Sequence, residues 1–208
     1  ERPEGFETLS HIILEQQVSL ESALSAYNKL KEKLGDFTPE SMLRLSDEEM
    51  RNCYLSRQKT RYLRELAKAI ISKDLILSEL PKLSESEVKV ELTKVVGIGT
   101  WTAQIYLMFC LKSPDIFPPG DIAAINTVKE LKGAQDKGEA VEIAKKWSPY
   151  QTGATFFLWY YYLKKIRYRN IPLLLVSALF RKDMSFFKWY GGLQRKMLAR
   201  FDHLFVQN

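Results

Sequence analysis

The sequence predicts an all-α protein, and three observations carry that prediction. Apolar residues recur at three- and four-residue spacing, while strand-like alternation is nearly absent. Helix-start signals repeat along the chain. Glycine or proline at Gly35, Pro81, Gly97, Gly99, Gly120, Gly133 and Gly138 leaves connections of the length found between short packed helices. With 208 residues, 46% of them hydrophobic and 12% aromatic, the chain can bury a real core. Its length suits one domain or two small helical lobes.

Taken in order, the first start signal is Thr38 before Pro39, an N-cap followed by the first helical position. Ser46 with Glu49 and Ser84 with Glu87 have capping-box spacing. Between them, SRQKTRYLRELAKAIISK (56–73) puts Leu63, Leu66 and Ile70 on one face and Arg57, Arg61, Arg64 and Lys68 largely elsewhere, which predicts an amphipathic helix. The pattern ending at Leu92–Val96 is also helical, and a further helix opens at Thr100 in TWTAQIYLMFCL. After the Pro118-Pro119-Gly120 turn, Asp121 opens the helix DIAAINTVKEL. Residues 171–208 form a basic extension, with six Lys or Arg against two Asp. It is expected to be helical and packed on the core at 1–170, or to offer a second polyanion-binding surface.

Composition narrows the function. The net charge of +6 and a pI near 9.2 suit a polyanionic partner, though many soluble proteins share them. Only Cys53, Cys110, His11 and His203 are available as soft ligands, too few for a zinc site or a four-cysteine iron–sulfur cluster, so metal-free chemistry is expected. The longest apolar tract, 171–180, is about half the ~20 residues that a membrane span requires. The protein is therefore expected to be intracellular, with no membrane contact. Because the chain begins at Glu1 rather than Met, residues upstream are expected to be missing.

The most informative stretch begins at the glycines. In GIGTWT, Gly97, Ile98 and Gly99 make a turn between two helices, and the amides of Gly99, Thr100 and Thr102 lie where they can cradle a phosphate. A dinucleotide-binding turn would need a preceding strand and a third glycine, whereas position 102 is Thr and the preceding segment is helical. The open alternatives are a helix-hairpin-helix phosphate site, which holds a nucleic-acid backbone without reading bases, and a purely structural turn.

The stretch GIGTWTAQIYLMFCLKSPDIFPPGDIAAIN resembles the helix-hairpin-helix, Gly/Pro-rich loop and Asp signature of the DNA glycosylase superfamily, in its 3-methyladenine DNA glycosylase II branch. RPEGFETLSHIILEQQVS is similar to the branch's wedge segment, LSRQKTRYLRELA to its Ser-x-x-Lys helix, and KKWSPYQTGATFFLWYYY to its Trp-x-Pro-aromatic helix. Together these cover residues 2–166, and the tail after 170 matches no part of the pattern.

The resemblance implies excision of damaged bases from double-stranded DNA, with two helical lobes around a cleft. It assigns Asp121 as the catalytic carboxylate, for which the plain alternative is an N-cap; Asp115 is the competing acid. Glycosylases of this superfamily that also nick the backbone carry Lys two residues after the second glycine, where this chain has Trp101. That departure implies a monofunctional enzyme; separately, a monomer is expected. Trp101 and Trp159 match pocket tryptophans, with core packing the alternative for Trp159; Phe6 and Tyr150 are weaker pocket candidates. Ile105 stands where one relative has a pocket Tyr. Gln16 and Gln17 match the wedge, and Arg57, Gln58 and Lys59 are candidates for phosphate contact. No organic cofactor is implied, although hairpin carbonyls in such proteins can hold a monovalent cation. Two rival readings stay open: a glycosylase for neutral lesions such as hypoxanthine or uracil, and a noncatalytic DNA-binding module.

Overall fold

A computed structural model describes residues 2–168, together with 174–178 and 203–206. Ten α-helices come in chain order: α1 (Phe6–Glu15), α2 (Leu20–Leu34), α3 (Pro39–Arg44), α4 (Asp47–Asn52), α5 (Arg57–Ile71), α6 (Glu85–Thr93), α7 (Thr100–Phe109), α8 (Ile122–Lys132), α9 (Lys137–Lys145) and α10 (Gln151–Tyr168). A 3-10 turn, Leu77–Lys82, links α5 to α6.

The predicted helix starts are where hydrogen bonding places them. Thr38, Ser46 and Ser84 each accept from the backbone N–H three residues on, and the third residue's side chain returns the bond. Each such cap is worth ~1 kcal/mol and fixes where the chain turns into helix. In α5, Leu63, Leu66 and Ala67 are fully buried while Arg57, Arg61 and Lys68 are exposed, as the periodicity requires. Truncating one such Leu to Ala would cost ~2–5 kcal/mol.

The interior forms two hydrophobic clusters. One is built on α1, α5, α6 and α7, around Leu9, Ile13, Leu63, Leu66, Leu92 and Tyr106. The other joins Phe117, Ala124, Val128, Ala140, Ala144 and Leu158, from the loop before α8, α8 itself, α9 and α10. Trp159 packs against both. These clusters are the two predicted lobes, and the chain from Ile116 to Asp121 passes from one to the other.

Two sequence expectations need correction. The chain divides into two compact units between Tyr160 and Tyr161, inside α10, rather than at 170. In the tail, expected to be helical, Leu174–Ala178 and His203–Val206 are strands paired in parallel, Leu174 opposite His203. The run LLVSA is apolar but for Ser177, and such a run carries no period that separates a strand from a buried helix. How the tail packs lies outside the described residues. Among those that are described, no helix is long and apolar enough to cross a membrane.

Candidate active site

Asp121 is set in place by the loop that precedes it. The loop enters from α7, where Gln104 donates to the Phe117 carbonyl at 3.3 Å. It is tied again to the start of α10: buried Thr152 donates to the Ser113 carbonyl at 2.6 Å and accepts from the Ile116 N–H at 3.0 Å. The Asp121 N–H then bonds the Pro118 carbonyl at 3.0 Å, closing the Pro-Pro-Gly turn. A buried loop is costly unless its backbone groups are satisfied, and here side chains from two helices satisfy them. The result is a carboxylate placed by a rigid connection.

Asp121 is indeed an N-cap: its Oδ1 accepts from the Ala124 N–H at 2.8 Å at the start of α8. It is also more than that. The Trp159 indole donates to Oδ1 at 3.0 Å, and the Trp101 indole donates to Oδ2 at 3.2 Å. Three N–H donors and the positive end of α8 surround one partly buried anion. This arrangement keeps a negative charge fixed and oriented, with no ion pair to neutralise it among the described residues, which suits stabilisation of a cation forming nearby.

The two tryptophans differ in their surroundings. Trp159 lies parallel to Phe109, with ring centroids 6.0 Å apart and planes 3° apart, and is tilted against Phe156 at 5.8 Å. Its ring is therefore engaged by its neighbours, and its N–H is the part aimed at the site. Trp101, at the start of α7, is half-buried beside Gly120.

The glycine turn has the helical surroundings the sequence indicates, with α6 before it and α7 beginning at Thr100. Gly97 has φ of +98°, and a Cβ there would lie 2.2 Å from Cγ of Tyr62. It is glycine because α5 presses against it. Gly99 is different: it is the N-cap of α7, has open space around it, and no side chain caps the helix. The first amides of α7 are thus left available to an anion. Ile98 is buried and its N–H bonds the Val95 carbonyl, so it shapes the turn, while Thr100 is exposed.

The paired glutamines separate. Gln16 donates through Nε2 to the Gly97 carbonyl and to the Thr102 hydroxyl, both at 2.9 Å, so it clamps the hairpin. Thr102 is buried by the same contact. Gln17 is exposed, with φ of 56°, a left-handed conformation that turns the chain sharply between α1 and α2.

Several other candidates do not join the Asp121 group. Phe6 is in the core, its ring 5.8 Å from that of Phe37. Ile105 is buried in the same cluster, and Tyr150 is largely exposed. Lys59 is turned inward: its Nζ donates to the Leu14 carbonyl at 2.5 Å near the end of α1, and burial pulls its pKa down. Gln58 donates to the Tyr62 hydroxyl at 2.6 Å. Asp115 accepts from the Ser148 hydroxyl at 2.5 Å and from the Gln151 side chain at 2.8 Å, bonds that hold its carboxyl below the usual range. The competing acid is a loop tie.

Comparison with known proteins places this geometry in context. Residues 10–150 match the family described as HhH-GPD superfamily base excision DNA repair protein. Over 172 residues the chain is 32% identical to the DNA-3-methyladenine glycosylase of Bacillus subtilis, covering 76% of this chain and 57% of that protein. Its fold is similar to that of a DNA-3-methyladenine glycosidase from Bacillus halodurans, with a TM-score of 0.69, 31% identity and 81% of each chain covered. It is also similar to a Schizosaccharomyces pombe 3-methyladenine DNA glycosylase in complex with abasic DNA, with a TM-score of 0.70, 30% identity, and 76% of this chain and 81% of that chain covered. The chain spans just over half the length of the Bacillus subtilis relatives it matches.

Proposed function

Because the chain belongs to the HhH-GPD superfamily of base excision DNA repair proteins, we propose that it is a monofunctional DNA glycosylase, acting as a monomer on double-stranded DNA. It hydrolyses the N-glycosidic bond of alkylated purines of the 3-methyladenine and 7-methylguanine type and leaves an abasic site. The observation that carries this reading is the convergence of Ala124 N–H, Trp159 and Trp101 on the carboxylate of Asp121.

The uncapped amides of α7, beginning at Thr100, grip a backbone phosphate, and Gln17 fills the gap left when the damaged nucleotide leaves the stack. An alkylated purine is cationic and is a good leaving group, so no strong general acid is needed. As the bond from the base nitrogen to the sugar lengthens, the bonding electron pair leaves with the base, which becomes neutral, and positive charge develops on the sugar. The Asp121 carboxylate stabilises that charge and orients a water, whose oxygen bonds to the anomeric carbon as its proton is released. Trp101 offers an aromatic face to an electron-poor base, an attraction of ~0.5–2 kcal/mol that favours charged over neutral purines.

Trp101 also stands where a backbone-nicking relative would need an amine nucleophile, and an indole cannot form a Schiff base with the sugar. At the turn, the Val95 and Gly97 carbonyls each accept one hydrogen bond, from the Ile98 N–H and Gln16, and keep a second lone pair. These carbonyls are the groups that would hold a monovalent cation, which would supply charge neutralisation beside the phosphate.

An excision panel of duplexes with one defined lesion each, developed with alkali to reveal abasic sites, tests the reading. Release of 3-methyladenine and 7-methylguanine well ahead of hypoxanthine and uracil is expected, with no borohydride-trapped adduct. Inactivity on every lesion, or a robust trapped adduct, would contradict it.

A further inference from the structure

The face of α5 opposite the core carries Arg57, Arg61, Arg64 and Lys68, spaced four, three and four residues apart and so on one side of the helix. With Arg51 and Thr60, and with the acids Asp47 and Glu65, they line a concavity of about 460 Å³. Five cations face two carboxylates there, and both carboxylates are already used. Asp47 accepts from Arg64 at 2.5 Å, and Glu65 accepts from Lys68 at 2.9 Å. Arg64 is anchored further on the Leu45 carbonyl at 2.8 Å. Arg57 and Arg61 are exposed, and among the described residues neither has an ion pair or a side-chain hydrogen bond. Like charges four residues apart weaken a helix, and an anion between them would relieve the repulsion.

The position of this face suggests which anion. On another side of the same helix, Tyr62 lies directly against Gly97. The hairpin whose amides open toward a phosphate therefore rests on α5. From Arg57 to Lys68 the helix rises ~16 Å, a length over which one strand of a duplex presents several phosphates. A linear row of cations suits a repeating anion better than a single one. We infer that the Arg57–Arg61 face of α5 is a second contact for the nucleic-acid backbone, holding phosphates of the duplex beyond the one held at the start of α7. This rests on the DNA-binding part of the reading above and is independent of base excision.

The test is the salt dependence of binding to an undamaged duplex, which reads the contact whether or not the protein removes a base. Arg57→Gln/Arg61→Gln is compared with wild type and with Lys137→Gln/Lys146→Gln on and beside α9. Both pairs are exposed, and melting temperatures confirm that the fold is kept. Loss of two phosphate contacts should make the slope of log K against log salt shallower by about 2, so the affinity drop between about 50 and 200 mM salt shrinks roughly tenfold. The α9 pair should leave the slope as in wild type. An unchanged slope in the α5 pair overturns the proposal. So does saturable binding of inorganic tripolyphosphate that the α5 pair abolishes while the duplex slope stays the same, since that would mark a site for a small free anion.

Discussion

The Trp159 indole nitrogen lies 3.0 Å from Oδ1 of Asp121 and donates its hydrogen to it. A residue whose size and aromaticity point to stacking thus contributes its one polar atom to the site. Trp159→Phe keeps an aromatic ring against Phe109 and Phe156 but removes that donor. A hydrogen bond to a charged group is worth ~1.5–3 kcal/mol, so excision should fall roughly ten- to a hundredfold with little change in melting temperature. Trp159→Leu should lower both. Full activity in Trp159→Phe would show that the bond does not position the carboxylate.

The two glycines of the hairpin should respond oppositely. Gly99→Val enters open space at a backbone conformation any residue adopts, so folding should persist while affinity for damaged and undamaged duplexes falls together. Gly97→Ala sets a methyl group into the Tyr62 ring at a positive φ, and should cost at least ~1–3 kcal/mol of stability. Chemical denaturation and duplex titration of both variants separate the effects. Loss of affinity only for lesion-bearing DNA in Gly99→Val would contradict the phosphate role.

Gln16 and Gln17 are adjacent but should fail differently. Gln16→Ala frees the Gly97 carbonyl and the Thr102 hydroxyl, so stability should drop by ~1–3 kcal/mol. Gln17→Ala should leave the melting temperature near wild type and slow excision more in stable base pairs than in mismatches. Equal rates across pairings would count against a wedge at Gln17.

Asp115 gives a pH-dependent test. Its hydrogen bonds from Ser148 and Gln151 hold its folded pKa below the ordinary value, so the stability they contribute is present above about 3.8 and is lost as pH falls through the folded value. Asp115→Asn should therefore melt below wild type at neutral pH, and the gap should close in acid. Excision at neutral pH should survive the change. A gap that stays constant down to low pH would mean that the carboxylate charge is not what ties the loop.

Much of this was legible in the sequence, for identifiable reasons. Ser46, Ser84 and Thr38 announce helix starts because capping is local, and the face of α5 follows from spacing alone. The turn at Gly97–Gly99 and the acid at Asp121 are likewise local grammar. What the sequence did not disclose depends on contacts between distant segments. Gln16 meets Gly97 across 81 residues and Thr152 meets Ile116 across 36, and nothing near either residue announces its partner. Gln104 belongs with them: a lone amide in the apolar run TAQIYL is costly to bury without a partner, and it finds one in the carbonyl of Phe117, 13 residues on. The strand at Leu174–Ala178 is not legible because a run that is apolar but for one serine has no period to read.

The central claim is that the charge of Asp121 drives bond cleavage, and Asp121→Asn tests it most directly. At ~4 Å and an effective dielectric of about 20, a carboxylate and a forming sugar cation interact by roughly 4 kcal/mol, nearly all of which the amide loses. Asparagine fills the same volume and can still accept from Ala124 N–H, so the start of α8 should remain intact. Single-turnover excision and duplex binding, measured on the same preparation, should show a rate down about a thousandfold with affinity equal or improved. A variant that keeps more than about a tenth of the wild-type rate, a loss of under ~1.4 kcal/mol, would contradict the account.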